Sequence, residues 1–94
     1  MLSDHDVVLL DQNVPNPFAE QTVISYSIPR NTKSAQILFY NTAGKLIKSV
    51  NVRENGKGKL NVFADDLSSG IYSYTLVIDG KVVYTRKMEK MSGR

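Results

Sequence analysis

Apolar and polar residues alternate along this chain with a period of two, and clusters of Gly, Pro, Asn, Asp and Ser interrupt the alternation every ~8 to 12 positions. That spacing predicts short strands stacked into a sandwich or barrel. A first strand is expected over 7–13, closed by Pro15-Asn16-Pro17, whose fixed φ angles and missing N–H groups end a ladder. Phe18 follows as a large apolar plug. Over 22–28, Ile24, Tyr26 and Ile28 alternate with Val23, Ser25 and Ser27, which describes one buried and one wetter face, and Pro29 stops the run. Over 35–40 both faces are apolar, Ile37 and Phe39 against Leu38 and Tyr40, so a central, doubly covered strand is expected.

Asn41-Thr42-Ala43-Gly44 reads as a turn in which Gly44 takes a positive φ. The run 45–52 places Leu46, Val50 and Val52 on one face, and Asn55-Gly56-Lys57-Gly58 reads as the next reversal before a short strand at Leu60 and Val62. Over 71–78, Tyr72, Tyr74, Leu76 and Ile78 oppose Ile71, Ser73, Thr75 and Val77. Asp79-Gly80 then separates that run from 81–88; Asp-Gly between alternating runs marks a two-residue hairpin, because a type I′ turn needs φ > 0 twice. About seven antiparallel strands with Greek-key connections predict an all-β, immunoglobulin-like sandwich. Leu67-Ser68-Ser69-Gly70-Ile71-Tyr72 has the form of a tyrosine corner, in which the Tyr hydroxyl returns to backbone just upstream. Tyr74, two residues on, stands where antibody domains carry their second cysteine.

A chain of 94 residues holds one core, and at 41% hydrophobic residues it can build one without staples. It has no cysteine, which removes disulfides and thiolate chemistry. The longest apolar runs, 7–10 and 37–40, fall far short of the roughly 20 residues of a membrane helix, so no direct membrane insertion is expected. Asp4-His5-Asp6, with neither a basic region nor a long apolar stretch around it, does not read as a signal peptide, so an exported form would travel behind another domain. The net charge of +3 divides into a leader, residues 1–20, at −4 and a body at +7. The bases of the body fall mostly at turns and strand ends, as solvated charges do in a sandwich, and not on one face interleaved with aromatics, so no nucleic-acid partner is expected.

Candidate chemistry is sparse. His5, the one histidine, lies in the leader without the converging ligands that a metal needs or the partners that a triad needs. Asp65 and Asp66 precede a Leu-Ser-Ser-Gly turn and read as caps of its amides in preference to calcium ligands. Gly56 and Gly58 flank a lysine but lack the rest of a phosphate loop. Tyrosines can stack on sugars, yet Tyr26, Tyr40, Tyr72 and Tyr74 lie in apolar strands and read as core or interface. Neither an enzyme nor a cofactor is expected.

Several segments, in order, resemble type A C-terminal sorting domains of the type IX (Por) secretion system of Bacteroidetes. They are 10–18 with Asn13-Val14-Pro15-Asn16-Pro17-Phe18, then 22–26, Tyr40-Asn41-Thr42-Ala43-Gly44-Lys45, 67–74, and Thr85-Arg86-Lys87-Met88. The resemblance implies an immunoglobulin-like domain over 9–90 behind a cargo domain, with 1–8 as linker and 91–94 as a tail, native or added. It implies recognition in the periplasm by an outer-membrane shuttle protein, then removal by a sortase-like peptidase that cuts within residues 3–6. Carried over by position, Gly70, Tyr72, Lys87, Met88 and Lys90 are the expected recognition residues, on a frame of Pro15, Asn16, Pro17, Phe18, Gly44, Leu67, Tyr74, Asp79 and Gly80. Members of the family usually stop soon after the Lys-Met segment, whereas Met91-Ser92-Gly93-Arg94 follow here. The final hairpin is expected to present Lys87 beside an unpaired strand edge. The competing expectation is a module retained on the mature protein, a fibronectin-like spacer or a carbohydrate-binding domain.

Overall fold

A computed structural model describes residues 8–53 and 55–92. Seven strands, β1 (Leu9–Leu10), β2 (Gln21–Ile28), β3 (Ala35–Asn41), β4 (Leu46–Asn51), β5 (Gly56–Phe63), β6 (Gly70–Ile78) and β7 (Lys81–Lys90), build the domain, with a 3₁₀ turn over Ala64–Asp66. They form two sheets, β1-β2-β5 and β4-β3-β6-β7, with every strand pair antiparallel. The chain changes sheet between β2 and β3, between β4 and β5, and between β5 and β6. This is the expected immunoglobulin-like sandwich.

Period-two alternation explains which side chains meet between the sheets. Ile24 and Ile28 of β2, Ile37 and Phe39 of β3, and Tyr74 and Leu76 of β6 are all buried. The rings of Phe39 and Tyr74 lie tilted against each other at 6.1 Å between centroids. Phe18 fills the core as the expected plug, with no exposed surface. His5 and Val7 lie outside the described residues.

Several expectations need correction, and each has a local cause. The first strand is two residues long, and pairing resumes at an isolated bridge between Val14 and Val23. From Leu10 opposite Tyr26 to Val14 opposite Val23 the chain advances four residues against three, so one extra residue interrupts the ladder. That interruption turns Asn13 inward, 1% exposed. Leu46 and Val50 do not share a face. Val50 pairs with inward Ile37 while Leu46 pairs with outward Tyr40, because a bulge between Phe39 and Tyr40 shifts the register. β3 is central, flanked by β4 and β6, but among the described residues the outer face of its sheet carries no second layer, and Leu38 and Tyr40 stay half-buried. β5 begins at Gly56, so Gly56, Lys57 and Gly58 pair with β2 and do not make the reversal. Gly58 is needed in that strand because Tyr26, directly opposite, lies across it; a Cβ there would sit 2.5 Å from the phenol oxygen. The turn at Ala64–Asp66 is closed by backbone, Leu67 N–H to Ala64 C=O at 2.9 Å.

Candidate functional site

The β6–β7 hairpin assembles the expected recognition residues. Its turn is the Asp79-Gly80 reversal, with φ of 49° and 83°. Asp79 does more than turn the chain: its carboxylate accepts from the Lys33 and Ser34 amides, both at 2.9 Å, tying the β2–β3 loop to the hairpin. From that turn the register places Ser73 opposite Lys87, Tyr72 opposite Met88 and Gly70 opposite Lys90. All five expected residues therefore meet at the open end of one hairpin. They divide by depth. Tyr72 and Met88, 7% and 1% exposed, belong to the core, whereas Gly70 and Lys87 are exposed and Lys90 is half-buried. The tyrosine corner is present, with the Tyr72 hydroxyl donating to Ser68 C=O at 2.7 Å. Gly44 closes the β3–β4 turn at φ 82°, where Asn41 Oδ1 accepts from the amides of Ala43 and Lys45.

The edge of β7 near Lys87 is covered, contrary to expectation. Phe18 N–H donates to Glu89 C=O at 3.0 Å, Met91 N–H donates to Phe18 C=O at 2.7 Å, and Phe18 bridges Lys90 in parallel. Asn16 Oδ1 accepts from the Glu89 amide at 2.9 Å. Further back, Gln12 Nε2 donates to Lys87 C=O and Arg86 Nε donates to Leu10 C=O. Proline supplies no N–H, so the Pro15-Asn16-Pro17 stretch reaches the edge through the Asn16 side chain. Both peptide bonds preceding these prolines are cis. The opening motif and the terminal strand are thus one surface, built from chain segments more than seventy residues apart.

Sequence reasoning missed the polar knot beneath that surface. The Tyr74 hydroxyl donates to Asp11 C=O at 2.7 Å and accepts from the Asn13 amide at 2.9 Å, joining β6 to the segment that follows β1 in the opposite sheet. Antibody domains bridge their sheets from the equivalent position with a disulfide; here a buried phenol does so. Asn13 Nδ2 donates to Thr22 Oγ1 and to Pro15 C=O, both at 3.1 Å, and Asn13 Oδ1 accepts from Gln12 Nε2 at 2.7 Å. Burial raises the Tyr74 phenol above its ordinary range, against the lowering effects of the Asn13 amide and of Arg86. An Asn and a Thr flanking a Pro-Asn-Pro turn carry no periodicity signal, and only their burial marks them.

Among the described residues, no three His, Cys, Asp or Glu side chains gather where they could hold a metal ion. Tyr26 lies over Gly58, Tyr72 and Tyr74 are in the core, and Tyr40 is half-buried on the outer sheet face. No described helix is long and apolar enough to cross a membrane. What the hairpin end offers is exposed Lys87 and half-buried Lys90 beside a covered strand edge.

The family model described as the secretion system C-terminal sorting domain matches residues 14–91. No curated protein matches the chain.

Proposed function

The chain belongs to the secretion system C-terminal sorting domains, and from that membership we propose that it carries a larger cargo across the outer membrane by type IX secretion and is afterwards removed. Membership makes it a sorting signal for that system, so its destination is the cell surface or the medium. In the finer reading, the cargo domain precedes the linker 1–8, the protein passes through the periplasm, and an outer-membrane shuttle protein reads the hairpin end. Gly70, Lys87 and Lys90 are the residues it meets, while Tyr72 and Met88 hold them in place from inside. A sortase-like peptidase then cuts within residues 3–6.

The observation that carries this reading is the bonding of Asn16 and Phe18 to Glu89 and Met91. Because those bonds join the two ends of the domain, the terminal strand is displayed only when the whole sandwich has folded. Folding and display are one event. Residues 1–94 fused to a periplasmic reporter in a type IX-competent strain should bring the reporter to the surface, and deletion of 85–94 should strand it in the periplasm. Surface arrival of the truncated fusion would refute the reading. Mass spectrometry of the surface product separates removal from retention as a spacer or sugar-binding module, since only a retained module leaves peptides from residues 9–90 on it.

A further inference from the structure

The outer edge of β7 divides at Arg86. Beyond it, the segment 10–18 occupies the edge through the bonds described above. Before it, over 81–85, no strand among the described residues lies alongside, since β7 ends the sheet order. This open stretch carries Val82, Val83 and Tyr84, exposed at 66%, 42% and 37%. Lys81 stands at one end, Arg86 and Lys87 at the other, and no acid occurs from 81 to 88. Lys87 C=O and both backbone groups of Glu89 point away from β6, so by ladder alternation those of Thr85 do as well. Backbone groups that no described residue covers are a template for a further strand.

Building on the sorting reading, we propose that the export machinery docks here by adding an extended strand rich in Glu or Asp alongside 81–85. Charge selects this occupant. A second copy of the chain, paired antiparallel across 83 and 84, would set Lys81 against Arg86, and like charges directly opposite destabilise a ladder. Both edges of the sheet carry a bulge in their pairing, β4 opposite Phe39 and Tyr40 and β7 at Val83, but β4 also carries Lys48 mid-strand, which blunts it. On β7 the cations stand at the ends and leave the apolar centre free. Farther along, the same edge already takes one backbone bridge of this kind, between Phe18 and Lys90.

The test titrates the ¹⁵N-labelled 94-residue chain with an end-capped peptide of alternating Val and Glu, and with its Val–Lys counterpart. The acidic peptide should shift the signals of 82–85 and slow hydrogen exchange at the Thr85 amide, while the basic one leaves them unchanged. Lys81→Glu/Val82→Glu, which alters two exposed positions next to the turn, should weaken acidic-peptide binding about tenfold. An equal response to both peptides, protection on β4 instead, or a peptide-free dimer paired through β7 would overturn the proposal. In cells, the wild-type reporter fusion should reach the surface and the folded Lys81→Glu/Val82→Glu fusion should not. Equal arrival of the two removes the edge inference and leaves the sorting reading standing. A wild-type fusion that stays in the periplasm removes both.

Discussion

Replacing Tyr74 with Phe deletes one oxygen and leaves the ring where it is, against Phe39 at 6.1 Å. That oxygen serves two partners, the Asp11 carbonyl at 2.7 Å and the Asn13 amide at 2.9 Å. The partners differ in what they can do without it. Asp11 C=O is at a part-buried bond and can turn to water, whereas the Asn13 amide belongs to a residue only 1% exposed. An orphaned buried donor costs about 1–3 kcal/mol, and loss of the second bond adds about 1 kcal/mol, so the substitution should cost about 2–4 kcal/mol. Against a total stability of about 5–15 kcal/mol this is a large fraction. With a urea slope of about 2 kcal/mol per molar, the midpoint should fall by roughly 1–2 M with the slope unchanged. Tyr72→Phe is the control. It loses a single part-buried bond, to Ser68 C=O at 2.7 Å, and should cost about 1 kcal/mol. A Tyr74→Phe chain that loses less than about 1 kcal/mol, or no more than the control, would refute the claim that this phenol fastens the sheets.

Phe18→Ala empties a fully buried site and should cost about 3–5 kcal/mol; it should also speed hydrogen exchange at the Glu89 and Met91 amides, which the Phe18 segment covers. Unchanged exchange at those two amides would show that the edge cover does not depend on the plug. Gly58→Ala pushes a Cβ into the Tyr26 ring and should cost about 1–3 kcal/mol by thermal melting, with part of the loss recovered in a Tyr26→Leu background. The raised Tyr74 phenol gives a pH signature: the folded protein holds that proton more tightly than the unfolded chain, whose ordinary value is 10.0. This contribution is full below about pH 10 and is lost as pH rises through the folded value, so wild-type and Tyr74→Phe urea midpoints should converge there, and parallel curves would count against it.

Much of this protein is legible from its amino acids because the chemistry concerned is local. Asp79-Gly80 makes its hairpin through backbone freedom at two adjacent residues, and the corner at Tyr72 closes on a carbonyl four positions upstream. The alternation of Ile37 with Leu38, or of Tyr74 with Thr75, reports strand and facing over the few residues in which a period of two keeps its phase. That phase is lost wherever a residue is inserted. The bulge between Phe39 and Tyr40 sends Leu46 outward, and the extra residue between Leu10 and Val14 turns Asn13 in toward Tyr74. Neither leaves a mark in the pattern, because each is a property of two strands in register and not of one strand alone. The covering of β7 is the extreme case. Asn16 and Glu89 are seventy-three positions apart, and nothing in either neighbourhood announces the other. Only the closing of both sheets around one core, with Phe18 buried at its end, brings the first motif onto the last strand and decides which part of that strand's edge is left open.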